Sequence, residues 1–315
     1  MCTTCGCGDA TEAVVLDAGA TRVAVPGLEA SRCVTLEADL LAANDAVAAR
    51  NRAWFAAHRV TAVNLMASPG AGKTTLLCAT LRRLRELAPQ RALAVIEGDQ
   101  ATALDAERIR ACGVPAVQVN TGKGCHLDAP MVAAALQRLH GHFHAHDQVH
   151  AHDPGHGRGL HAGSGHSHEA HHGKARAAAQ PEAHHHPAAP DHGPHDAGGL
   201  LFIENVGNLV CPALWDLGER ARVVLLSVPE GDDKPLKYPD MFARADLLLI
   251  TKADLLPHVP FDVEACVERA RRLRPGLPVL LLSAASGQGL QGWCDWLLAA
   301  ATPASEAAPA QAETG

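Results

Sequence analysis

The segment VTAVNLM at residues 60–66 runs without a break into ASPGAGKTTLL, and that junction limits the fold more than any other feature of the chain. A run this apolar reads as a strand buried on both faces, as in a parallel sheet, because a half-exposed strand would alternate with polar residues. The loop after it, Pro69-Gly70-Ala71-Gly72-Lys73-Thr74, opens a helix. The first amides of that helix lack partners, and its dipole favours an anion. Further apolar runs lie at RALAVIE (91–97), PAVQV (115–119), LLFIE (200–204), RVVLLSV (222–228), ADLLLI (245–250) and LPVLLL (277–282), with helical segments between most of them. After the third run, Leu127, Met131, Ala135 and Leu139 recur at a spacing of four and form one core-facing stripe. The predicted fold class is α/β, a mostly parallel sheet with flanking helices.

The loop residues each have a chemical use. Gly70 and Gly72 let backbone amides turn toward phosphate, Lys73 reaches the β and γ phosphates, and Thr74 offers its hydroxyl to Mg²⁺. Ala71 and Thr75 complete this cradle, while Ala67 stands where such loops usually carry their first glycine. LLFIENVGN ends a strand on Glu204, a carboxylate able to hold Mg²⁺ directly or through water, and Gly207 follows with an amide placed to sense a γ-phosphate. EGDQ ends another strand on Asp99, a candidate for the metal's outer shell or for positioning the attacking water. Lys73, Asp99 and Glu204 are therefore the candidate catalytic residues.

Base choice is written in LLLITKADL. Asp254 can accept hydrogen bonds from guanine N1–H and N2–H₂, and the Lys252 stem can lie against the ring. Adenine cannot reciprocate, and unmatched buried groups are expensive. Ser283-Ala284 falls where a backbone amide would meet guanine O6, so GTP rather than ATP is expected, although Thr251 replaces the Asn usual in guanine-binding loops.

The 315 residues carry a formal net charge of -7, which argues against a nucleic-acid partner, since phosphate recognition draws on a basic face. No stretch is long and apolar enough to span a bilayer and no export signal opens the chain, so the expected location is cytoplasmic. Seven of the ten cysteines are scattered singly, as reduced thiols would be. All histidines but His58, His126 and His258 lie between His140 and His195, seventeen of twenty, in a stretch rich in Gly, Ala and Pro. Its only large apolar residues are Phe143, Val149 and Leu160, so it reads as a disordered insertion. The expected organisation is a Cys-rich tail and linker (1–34), then a nucleotide-binding domain (35–301) that begins with a helix near 36–58. The insertion (140–198) interrupts this domain, and a disordered tail (302–315) follows it.

Three groups of side chains suit metal ions. Cys2, Cys5 and Cys7 sit in MCTTCGCG, where a short loop can bring three sulfurs together beside the chain's own amine. Three thiolates and a nitrogen favour Ni²⁺ if nearly planar and Zn²⁺ if tetrahedral; a redox Cys-x-x-Cys pair or an incidental reactive tail are the alternatives. The histidine tract offers many borderline ligands that are mostly neutral above pH ~6.5. Cys125-His126 opens the helix after the third strand, and Cys211 lies four residues beyond Gly207. Lone cysteines are more often small core residues than ligands, but two chains facing each other could complete such a site.

MCTTCGCG, AANDAVAARNRAWF, NLMASPGAGKTTLL, GCHLDAPMV, LLFIENVGNLVCPA, EGDDKPLKYPDMF and TKADLLPHV together closely resemble the HypB family, the nickel-incorporation GTPases of NiFe-hydrogenase maturation. The resemblance implies a SIMIBI-class G domain that forms a homodimer with nucleotide. It implies a tight nickel site at Cys2, Cys5 and Cys7, and a weaker Ni²⁺/Zn²⁺ site at Cys125, His126 and Cys211 on the dimer interface. It also implies a HypA-type nickel chaperone as partner, with delivery to the hydrogenase large subunit. Histidine-rich stretches in that family usually precede the G domain; here the tract interrupts it. No Lys stands at Ser68, so the deviant loop of MinD-like ATPases is absent. The expected activity is slow GTP hydrolysis that biases metal affinity. The rival expectations are a nickel storage and buffering protein with a regulatory G domain, and a urease-type or zinc-trafficking accessory GTPase.

Overall fold

A computed structural model describes residues 30–99, 104–122, 124–148 and 198–302, with backbone alone at 30–38 and 144–148. Cys2, Cys5 and Cys7, most of the histidine tract and the tail from 303 onward lie outside the described residues.

Seven parallel strands form one sheet in the order β3-β2-β4-β1-β5-β6-β7. They are β1 (Val60–Ala67), β2 (Ala92–Asp99), β3 (Ala116–Asn120), β4 (Gly199–Glu204), β5 (Ala221–Ser227), β6 (Leu247–Thr251) and β7 (Val279–Leu281). β1 lies in the middle, flanked by β4 and β5, and the loop that leaves its carboxyl end sits at the crevice where such sheets bind ligands. The helices are α1 (Ala30–Ala57), α2 (Lys73–Leu87), α3 (Leu104–Arg110), α4 (Ala129–Gln148), α5 (Cys211–Leu214), α6 (Lys234–Lys237), α7 (Pro239–Ala243), α8 (Val263–Leu273) and α9 (Leu290–Ala300).

Alternate strand residues feed different cores, as the pleat requires. Val63, Leu65, Val95, Phe202 and Val223 pack with Leu76, Leu81 and Trp293 from α2 and α9 on one face. Ala62, Ile96, Leu201 and Ile203 pack with α4 on the other, and Met66, Val224 and Leu248 continue that face toward α7 and α8. Among the described residues no helix is long and apolar enough to cross a membrane.

Two helices differ from the sequence expectation. α1 begins at Ala30, earlier than 36. It is moored by Asn44 and Asn51, two turns apart on one face. Asn44 Nδ2 donates to the Asp216 carbonyl (2.7 Å), and Asn51 Nδ2 donates to the Ala129 (3.0 Å) and Leu217 (3.1 Å) carbonyls. α4 runs on to Gln148 instead of stopping near 139. The cause is Phe143, which continues the stripe one turn past Leu139 and is buried, 6 % exposed, against Gly199 and Val60. Burying such a ring contributes about 1.5–3 kcal/mol, enough to hold a helix of otherwise polar residues.

Candidate nucleotide and metal sites

The phosphate loop is shaped by its backbone. Gly70 (φ 77°) and Gly72 (φ 95°) occupy the left-handed region that favours glycine, and Gly72 caps α2. Lys252, itself left-handed at φ 58°, donates from Nζ to the Gly70 carbonyl (2.8 Å), and the Thr251 hydroxyl donates to the Ala71 carbonyl (2.9 Å). Thr251, a departure from the usual Asn, therefore braces the loop. The Ser68 hydroxyl donates to Glu230, whose other oxygen accepts from the Ser227 amide (2.8 Å) and hydroxyl (2.7 Å). Sequence reasoning missed Glu230, which belongs to the polar run EGDDK with no spacing signal of its own.

Above the loop, buried carboxylates meet Lys73. Glu204 is 4 % exposed and its Oε1 accepts from the Thr74 hydroxyl (2.7 Å), while its Oε2 is buried without a hydrogen-bond partner. Burial pushes its carboxyl up to about 7, against the opposing pull of Thr74 and Lys73. Glu97, 2 % exposed and paired in register with Glu204, also has a buried Oε2 without a partner. Burial, then the neighbouring Glu204, pushes its carboxyl up to about 8. Glu97 was missed, although EGD places it two residues before Asp99 on the same strand face. Lys73 is pulled below the ordinary lysine range by burial, countered first by Glu204. The Thr74 hydroxyl and the unpartnered Glu204 oxygen suit a hard oxygen-seeking cation such as Mg²⁺.

Gly207 lies against this loop, since a Cβ there would meet Pro69 Cα at 3.1 Å. On the base side, Asp254 is exposed at the start of a short 3-10 turn (Ala253–His258), and Ser283 is buried, its amide donating to the Gln288 carbonyl (2.9 Å). Ala284 packs beside it against the core. Asp99 closes β2 half-buried, its carbonyl accepting from the Thr121 amide (3.0 Å). Thr75 is exposed, and its hydroxyl accepts from Arg108 (3.2 Å).

The second site is assembled from distant segments. Cys125, His126 and Cys211 bring their ligand atoms within 4.8 Å of one another. Cys125 Sγ lies 2.7 Å from Cys211 Sγ and 3.7 Å from His126 Nδ1. The sulfur separation exceeds the ~2.05 Å of a disulfide, so no S–S bond joins the two cysteines. A tetrahedral ion at ~2.3 Å from each sulfur would need them roughly 3.8 Å apart, so small rotations suffice. Burial pulls the imidazole of His126 below the ordinary histidine range, which favours its neutral, ligating form. The ring stacks on Trp215, with centroids 4.5 Å apart and planes at 22°. Trp215 was also missed, because nothing in its spacing connects it to residue 126.

A central parallel strand feeding a glycine loop, a helix opening on Lys73 and Thr74, and a strand-end carboxylate define a P-loop nucleotide-binding protein. Residues 61–281 match the family described as CobW/HypB/UreG, nucleotide-binding domain. The hydrogenase maturation factor HypB of Cupriavidus necator is 55 % identical over 291 residues, 92 % of this chain and 76 % of its own length. HypB of Escherichia coli K12 is 46 % identical over 272 residues, 86 % of this chain and 74 % of its own. A crystal structure of HypB from Helicobacter pylori in complex with nickel superposes with a TM-score of 0.62 at 33 % identity, covering 82 % of this chain and 94 % of that one. The chain belongs to the HypB family of hydrogenase maturation factors.

Proposed function

We propose that this chain is a GTP-hydrolysing nickel metallochaperone that delivers Ni²⁺ during NiFe-hydrogenase maturation. The observation that carries the reading is a shared segment. Glu204 borders the phosphate loop, Gly207 abuts it, and Cys211 enters the thiol–imidazole cluster. A change in phosphate occupancy has seven residues of chain through which to reach a metal ligand.

In this reading Gly70, Ala71, Gly72 and Thr75 cradle the phosphates and Lys73 carries the matching positive charge. Thr74 and Glu204 would hold Mg²⁺, which offsets charge developing on the β and γ phosphates. Asp99 orients the attacking water, and Gly207 offers its amide to the γ-phosphate. Lys252, Asp254, Ser283 and Ala284 select guanine. No glutamine follows Gly207, so intrinsic turnover is slow. Cys125, His126 and Cys211 hold Ni²⁺, with Zn²⁺ a competitor for the same donors. Cys2, Cys5 and Cys7 form a tighter nickel site. The protein acts in the cytoplasm as a nucleotide-dependent homodimer, receives help from a HypA-type chaperone, and hands nickel to the hydrogenase large subunit. The matching curated relatives are named hydrogenase maturation factors, and a related structure holds nickel.

Storage is the second reading, favoured by seventeen histidines in one tract. Expression in a bacterium lacking its own factor separates the two. Delivery predicts that the chain without 149–197 still restores hydrogenase activity at ample nickel, and that Cys211→Ala does not. Storage predicts that deletion of the tract abolishes the phenotype.

A further inference from the structure

Glu204 and Asn205 are consecutive, and the pleat sends their side chains to opposite faces of the sheet. Glu204 turns to Thr74 at the phosphate loop. Asn205 turns to the metal cluster: its Oδ1 accepts from the Leu127 amide (3.0 Å), directly after His126, and from the Val206 amide (3.0 Å). Its Nδ2 donates to Asn64 Oδ1 (3.3 Å), and Asn64 Nδ2 donates to Glu219 Oε1 (3.2 Å). Asn205 is 1 % exposed and Asn64 fully buried. Leaving such a buried group unpaired is unfavourable, because its desolvation is no longer offset. A shift of residue 205 must therefore either carry Leu127 with it or break these bonds at that cost.

Chain continuity from Glu204 moves only Cys211. The Asn205 side chain reaches the other half of the cluster, where Cys125 and His126 sit. Leu127 is sensitive to this motion because it lies over β2 at Gly98, where a Cβ would come 2.7 Å from its side chain. The far end of the same segment has different anchors. Asn44 Oδ1 accepts from the Ala129 amide (2.8 Å), and Asn51 Nδ2 donates to the Ala129 carbonyl (3.0 Å). Both belong to α1. The segment that follows Cys125 and His126 is thus held by Asn205 at Leu127 and by α1 at Ala129.

We infer that Asn205 is the positioning residue through which nucleotide state at Glu204 sets the spacing of Cys125, His126 and Cys211. The inference rests on the function proposed above, because it presumes that nucleotide alters metal affinity. It assigns that coupling to one side-chain amide, and it predicts that the coupling can be removed while both binding sites survive.

The test is Ni²⁺ titration of the full chain carrying Cys2, Cys5 and Cys7 as alanine, read by thiolate-to-nickel absorption, so that the amino-terminal sulfurs do not report. Each variant is measured with GDP and with a non-hydrolysable GTP analogue. The unchanged cluster should show affinities that differ by about fivefold or more between the two nucleotides. Asn205→Ala should bring that ratio within about twofold of one, while Asn205→Asp, which keeps the Oδ1 acceptor, restores it. Asn51→Ala, which loosens the same segment from the α1 side, should keep the ratio. If alanine at 205 does not fold, Asn205→Ser carries the test, because its hydroxyl is too short to reach Leu127. Asn205→Ala or Asn205→Ser with the full ratio overturns the inference, as does an equal loss in Asn51→Ala. A ratio of one in the unchanged cluster defeats the functional reading first, and the inference with it.

Discussion

The phosphate loop and the thiol–imidazole cluster lie at the same edge of the sheet and are built in opposite ways. The loop is one contiguous stretch whose shape is fixed by two left-handed glycines and braced by Lys252, Thr251 and Glu230. The cluster has no local shape of its own, because Cys125 and Cys211 meet only when β4, α4 and α5 are docked. The contrast teaches that the form of the loop is a property of a local segment, whereas the form of the cluster is a property of how segments are spaced. A site of the second kind can be tuned by anything that moves its parts, including occupancy of the first.

Breaking the loop should give the largest effect. Lys73→Ala removes the buried cation of the loop, and nucleotide affinity should fall by more than about 100-fold, at a cost of ~3 kcal/mol or more. Fluorescent-nucleotide titration measures this, and metal binding to the cluster without nucleotide should stay within about threefold. Breaking the cluster should give the next effect. Cys211→Ser takes away one of three ligands, and cluster affinity for Ni²⁺ should fall on the order of 10- to 100-fold, while GDP affinity is unchanged. If Cys211→Ser weakened GDP binding as strongly as metal binding, the two sites would not be separable.

The smallest effect is a pH dependence set on the loop side by two buried carboxyls. The buried Glu97 and Glu204 carboxyls are raised to about 8 and about 7 from an ordinary value of 4.5. Groups raised in the folded state bind more protons there than in the unfolded chain. Their contribution to stability is full below pH 4.5 and is lost as pH rises through 7 and 8. The nucleotide-free protein should therefore lose thermal stability from pH 5 to pH 8.5, and Glu97→Gln should flatten part of that slope in a melting series. A Tm that rises across this interval would contradict the account of Glu97.

The same contrast explains what the sequence made legible. All seven strands could be placed to within a few residues; the five inner ones are buried on both faces and write themselves as continuous apolar runs. The glycine loop was equally plain, since its chemistry needs a fixed local order. Cys125, His126 and Cys211 could be singled out, but spacing alone could not say that their side chains converge, because that depends on a long-range docking. Glu97, Trp215 and Asn205 were not found for a related reason. Each works through a partner far away in sequence, namely Glu204, His126 and Leu127. The overrun of α4 was within reach, since Phe143 continues the four-residue stripe past Leu139, but the histidines around it masked the pattern.

The central claim is that occupancy of the phosphate loop and of the cluster are thermodynamically linked, and linkage is reciprocal. The most direct measurement is the affinity of a non-hydrolysable GTP analogue with and without saturating Ni²⁺, in a chain whose Cys2, Cys5 and Cys7 are alanine. The account predicts a change by the same factor, about fivefold or more, by which that nucleotide changes Ni²⁺ affinity. Identical nucleotide affinities in the presence and absence of Ni²⁺ would contradict it.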